Sequence, residues 1–277
     1  MNKLMIYILL FTVALVSCDP IENRESMGGA ITAEQLNVTA TPVVVDGKKS
    51  NKIILENHSP VLSLWDYGLG TTNKAYDEVL LVLTGENKIT FTGLNPDGSK
   101  ITKELTVNVD ALSFEVPKEW ALLCGDGSKE WVWDDTQVVG DNGGPIVWGN
   151  GAYKSSTAPA WWKLELNDID GQAPKEGVGA SLTFTTSGAK LVKNKSDGTT
   201  EAGSFSFDMS KQIQNDNKEV WAIGKFYTKN VTVLCGSVGD DKVFEYDILY
   251  LDKDKLVLCY QVPNEPTTGY FWMFKAK

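Results

Sequence analysis

Val243-Phe244-Glu245-Tyr246-Asp247-Ile248-Leu249-Tyr250-Leu251, then Asp252-Lys253-Asp254, then Lys255-Leu256-Val257-Leu258-Cys259-Tyr260-Gln261-Val262, is the most informative stretch of the chain. Two runs rich in β-branched, aromatic and aliphatic residues, parted by three charged residues, predict adjacent antiparallel strands joined by a tight turn. The same unit recurs on both sides. Residues 180–185, 190–193 before Asp197-Gly198, 203–209, 220–224, 230–234 and 269–275 all read as strands. A meander of this kind, closed on itself, makes a barrel, which leaves no sheet edge unpaired. A jelly roll is the alternative.

The first half is also built of strands. Residues 36–38, 42–45 before Asp46-Gly47, 52–55, 79–83, 88–92 before Asn95-Pro96-Asp97-Gly98, and 103–109 predict a β-sandwich with Asp-Gly and Pro-Asp-Gly turns. Composition changes near Glu115-Val116-Pro117-Lys118: of nine tryptophans, only Trp65 precedes it. The expected organisation is a signal peptide over 1–17, a lipidated flexible tether over 18–29, a sandwich domain over 30–116 and a second β-domain over 117–277.

Trp65-Asp66-Tyr67-Gly68-Leu69-Gly70, with the later strand Ile89-Thr90-Phe91-Thr92, resembles the PKD family of immunoglobulin-like sandwiches. Leu69 stands where that family's motif has a second Asp, as in a divergent PKD-like domain. The resemblance implies a spacer in which Trp65 is a core residue and Asp66 binds turn amides. Beyond the boundary, Lys129-Glu130-Trp131 and the segment from Ile248 to Leu256 resemble the opening and closing elements of lipocalin-like domains, the second with a spacing one residue longer. The expected fold is therefore all-β, an immunoglobulin/PKD-like sandwich followed by an antiparallel lipocalin-like barrel.

Lys3 precedes an apolar run from Leu4 to Leu15, which reads as a secretory signal peptide, too short for the roughly 20 apolar residues that span a bilayer. The run ends in Leu15-Val16-Ser17-Cys18, which looks like a lipobox with Cys18 as the lipidated residue. The polar segment from Asp19 to Gly29 has almost nothing to bury and reads as a tether. Its acidic residues resemble signals that sort lipoproteins of polysaccharide-scavenging Gram-negative bacteria to the cell surface. The expectation is an outer-membrane lipoprotein that meets the membrane through its lipid alone.

A net charge of -10 argues against nucleic acid as a partner, since phosphate backbones are repelled. One histidine, His58, leaves little scope for His-based metal sites or Ser-His-Asp triads. Cys124, Cys235 and Cys259 lack metal-binding spacing and read as buried hydrophobes, with a Cys235–Cys259 disulfide as the alternative.

The segment Trp131-Val132-Trp133-Asp134-Asp135, then 141–153, then Trp161-Trp162, mixes aromatic rings with Asp and Asn in glycine-rich loops. Sugars require both, an aromatic face for their C–H surface and polar groups for their hydroxyls. Trp131 and Trp133 alternate on one strand face, which fits core positions, with ligand contact as the alternative. Trp148, lying between Pro145 and Gly149-Asn150-Gly151, and at least one of the neighbours Trp161 and Trp162 are the candidate stacking rings. Asn150, Asp134, Asp135 and Tyr153 are the candidate polar partners. The expected function is non-catalytic glycan binding at the cell surface, and other surface glycan-uptake proteins are further partners that this reading admits.

No cofactor is required. Asp134, Asp135, Asp141 and Asn142 leave a calcium ion open, although EF-hand spacing is absent. Two rival functions remain: a glycoside hydrolase with a carboxylate pair among Glu130, Asp134, Asp135 and Glu165, and a structural or protein-interaction lipoprotein whose tryptophans are core. No sequence motif assigns a catalytic or metal-binding residue.

Overall fold

A computed structural model describes residues 29–277. The signal peptide, the lipidation residue Cys18 and all of the tether except Gly29 lie outside the described residues. The chain is all-β, as its strand patterning predicts.

Seven strands make the first half: β1 (Val38–Val45), β2 (Lys48–Asn57), β3 (Leu62–Asp66), β4 (Thr71–Thr72), β5 (Tyr76–Leu80), β6 (Gly85–Leu94) and β7 (Lys100–Val109). They form two antiparallel sheets, in the orders β1-β2-β5 and β4-β3-β6-β7. Asp46 and Gly47 both have positive φ (50° and 78°), the requirement of a two-residue hairpin turn. Period-2 alternation places Ile53, Leu55, Ile89, Phe91 and Val107 in a shared core. Trp65 is fully buried among them, its ring edge-on to Phe91 at 4.6 Å and its Nε1 donating to the Lys74 carbonyl at 3.1 Å. Asp66 Oδ1 accepts from the Gly68 amide at 2.9 Å, fixing the turn that follows.

The second half opens with helix α1 (Lys118–Cys124), which strand patterning did not anticipate. Trp120, Leu123 and Cys124 are its buried residues, and their spacing carries a helical period over a segment too short to stand out in sequence. The strands that follow are β8 (Ser128–Trp133), β9 (Ile146–Ala152), β10 (Lys163–Glu165), β11 (Ser181–Thr185), β12 (Lys190–Asn194), β13 (Thr200–Asp208), β14 (Ile213–Gln214), β15 (Val220–Ala222), β16 (Gly224–Lys229), β17 (Ser237–Val238), β18 (Asp241–Lys242), β19 (Glu245–Leu251), β20 (Lys255–Gln261) and β21 (Thr268–Ala276).

Eight of these, in the order β8-β11-β12-β13-β16-β19-β20-β21, form an antiparallel barrel that closes where β21 pairs with β8. This is an architecture compatible with a lipocalin-like domain and not with a jelly roll. The two-stranded flap β9–β10 leaves the barrel along β21. Inside, Trp131, Trp133, Phe184, Phe226, Tyr246 and Trp272 fill the interior with rings. The long apolar runs of β19, β20 and β21 are explained by burial on both faces: a second cluster of Leu249, Val257, Phe271 and Met273 lies under Trp221 and Ala222. Cys259 belongs to this outer cluster and Cys235 to the barrel core, and both are free thiols, as is Cys124.

Helix α1 packs over one end of the barrel, where Trp120 meets Phe207 at 4.8 Å and Phe205 at 5.4 Å. The sandwich reaches the same end. Leu69, in the turn after β3, packs against both the sandwich core and the barrel core, and Gly68 beside it approaches Gly188 closely.

Candidate functional site

The chain between β8 and β11 carries most of the residues singled out by sequence. The structure divides them into buried supports and an exposed ledge.

Trp148 is a support. It is 1 % exposed on β9, directly opposite Trp272 on β21, and packs among Tyr270 (5.3 Å), Trp272 (6.0 Å) and Trp162 (5.2 Å). The expectation that Trp148 stacks on a sugar is therefore corrected. Its neighbouring glycines suggested a loop, but Gly149 is a strand residue with φ 147°, and a Cβ there would lie 2.2 Å from the Trp162 carbonyl. Close approach of two backbones, not a surface turn, requires that glycine.

Trp161 and Trp162 remain the exposed rings, at 56 % and 43 %. Asn150 holds both. Its amide donates to the Trp162 carbonyl (2.9 Å), its carbonyl accepts from Ala160 and Trp161 (2.8 and 3.0 Å), and its Oδ1 accepts from the Trp162 amide at 2.8 Å. Asn150 thus acts through the loop, with its side-chain oxygen already committed. An exposed pair whose backbone is fixed to a strand residue by three hydrogen bonds loses little backbone entropy on receiving a ligand.

The other expected polar partners are engaged elsewhere. Asp134, 3 % exposed, accepts from the Thr136 amide at 3.0 Å and from the Thr136 hydroxyl and Gln137 amide, closing the turn after β8. Asp135 is exposed and pairs with Lys275. Tyr153 lies on the outer barrel face, its ring against Trp221 at 4.9 Å and its hydroxyl donating to Asp247 at 2.8 Å. Burial, and then the charge of Asp247, push the Tyr153 phenol well above its ordinary value. Asp134 and Tyr153 are thus withdrawn as ligand contacts.

Glu165, 6 % exposed on β10, accepts from the amides of Asn142 (2.8 Å) and Gly144 (2.6 Å) and organises the 140–144 loop. Glu130 pairs with Lys277 at 2.8 Å. Of the four carboxylates weighed for hydrolysis, two bind lysines and two bind turn amides or side chains, so each has a separate structural partner. Among the described residues no group of three or more His, Cys, Asp and Glu converges as a metal site, and Asp134, Asp135 and Asp141 do not meet.

Sequence reasoning missed one charged cluster. Lys193 shares the inward face of β12 with Leu191, and its ammonium meets Glu176 inside the barrel. A lysine in register with an apolar face was the available signal.

Compared with known proteins, the chain matches no family model and shows no significant sequence similarity to a curated protein.

Proposed function

We propose that the chain is a surface lipoprotein that binds carbohydrate without catalysis, with Trp161 and Trp162 as its stacking platform. In this reading Cys18 carries the lipid and anchors the protein in the outer membrane, facing the cell exterior. The sandwich is a divergent PKD-like spacer and the barrel a lipocalin-like domain. The observation that carries the proposal is the exposure of two adjacent indoles, pinned by Asn150 and backed by Trp148 and Tyr270. Exposed rings this large are costly unless something covers them, and the flat C–H face of a sugar does so while its hydroxyls stay hydrated.

A glycan array probed with the mature chain tests the reading. A bound glycan should shift tryptophan emission and protect Trp161 and Trp162 from quenching. Replacing both with Ala should lower affinity about 30-fold, some 2 kcal/mol, with little change in melting temperature. Binding to no plant, host or microbial glycan would favour the protein-interaction reading. That reading has its own support in Leu62 and Leu64, 71 % and 46 % exposed on one face of β3. Metabolic labelling with a fatty-acid analogue should fail for Cys18→Ser.

A further inference from the structure

The end of the barrel away from α1 holds a cavity of about 410 Å³, a volume in the range of small-molecule sites. Its floor is ionic. Lys193 Nζ, on a side chain 4 % exposed, lies 2.9 Å from Glu176 Oε1 and donates to Thr232 Oγ1 at 2.8 Å. The other Glu176 oxygen accepts from the Cys235 amide at 2.7 Å, and the Glu176 carbonyl accepts from Trp133 Nε1 at 2.7 Å. Nearer the rim, Lys195 Nζ lies 2.6 Å from Glu201 and 3.5 Å from Glu176. Lys242 lines the same cavity and, among the described residues, has no carboxylate within 4.0 Å.

Stability alone gives poor reason for this arrangement. Desolvating a buried ion pair costs several kcal/mol per ion, and apolar side chains of equal volume often hold a core as well or better. Leu191, on the same face of β12, shows what an ordinary core residue does there. Three ammonium groups face two carboxylates, which leaves one positive charge at a concave site in a chain whose net charge is -10. Such a site concentrates a monoanion, and low-dielectric walls strengthen the field within it.

We infer that this cavity binds a small carboxylate: Lys195 and Lys242 receive the anion, the Lys193–Glu176 pair forms a rigid floor, and Phe244 and Val231 flank the ligand's carbon skeleton. A free organic acid and a uronic acid sugar share this chemistry. The site is distinct from the tryptophan ledge and does not rest on the glycan reading.

The test is an amide NMR titration of the mature chain with hexanoate, glucuronate, glucose and inorganic phosphate. Amides of Lys195, Asn230 and Lys242 should shift with one or both carboxylates and not with glucose. Response to hexanoate alone marks a free organic acid as the ligand, and response to glucuronate alone marks a sugar acid. The Lys195→Ala/Lys242→Ala variant should lose at least tenfold in affinity. Lys242→Gln removes a lysine without a carboxylate partner and keeps the test valid if the double variant folds poorly; it too should weaken binding. Changing Trp161 and Trp162 to Ala should leave these shifts intact. The inference is overturned by no carboxylate shift up to about 10 mM, where even a ~1 mM site would be mostly filled, by a response to phosphate alone, or by undiminished binding in Lys242→Gln.

Discussion

The indoles of Trp148 and Trp162 meet edge to face, their centroids 5.2 Å apart and their planes at 81°. One ring is buried and the other is 43 % exposed, so a single contact joins the barrel core to the surface. Their substitutions should therefore separate. Trp148→Ala should cost on the order of 3–5 kcal/mol, as deletion of a buried aromatic does. Trp162→Ala should cost much less. Urea denaturation of the two variants measures both, and equal losses would show that Trp162 is structural as well.

Leu69 couples the sandwich to the barrel, because it packs on both cores from the turn after β3. Leu69→Asp removes the apolar contact with both cores and puts a charge at that junction, which is unfavourable against apolar neighbours. Differential scanning calorimetry should then resolve two transitions where the unaltered chain shows one. A single unshifted transition would mean that the halves are joined by other contacts, such as those of Val82.

Three thiols are buried. Burial pushes Cys124 up to about 11, and it also raises Cys235 and Cys259 well above the ordinary thiol value, with Glu176 and Asp247 adding to the respective effects. A thiol that does not ionise is a poor nucleophile. Ellman's reagent should find no fast-reacting thiol in a folded chain that lacks Cys18, and three after denaturation. One thiol after denaturation would point instead to a disulfide.

The Lys195–Glu201 pair makes stability depend on pH. The hydrogen bond from Lys195 is the main cause holding the Glu201 carboxyl below its ordinary range, and the same contact raises Lys195. A depressed carboxyl contributes stability above its unfolded value and loses it as the pH falls through the folded value. The raised lysine contributes below its unfolded value and loses it as the pH rises through the folded one. Glu201→Gln should therefore lower stability at neutral pH, by less than about 1 kcal/mol because Glu201 is 43 % exposed, and converge with the parent in acid. A difference that persists at low pH would exclude the ion pair as its source.

Much of the architecture was legible in the amino-acid order. Alternation with a period of two and Asp-Gly turns are local properties, so β1 and β2 with Asp46-Gly47 between them, and β19 and β20 with Asp252-Lys253-Asp254 between them, could be read directly. Trp65 was legible as core because its strand and turn lie within a few residues of it. Which tryptophan meets solvent was decided elsewhere. Trp148 is covered because β9 pairs with β21, more than a hundred residues away, while Trp161 and Trp162 follow Asn150 at the outer edge of β9 and stay exposed. The ionic cavity has the same origin in part: Lys193 and Glu201 already face each other across the β12–β13 hairpin, but Glu176 and Lys242 come from separate segments and join them only in the folded barrel. Strand patterning specifies which residues point inward. Closure of the sheet decides what they find there.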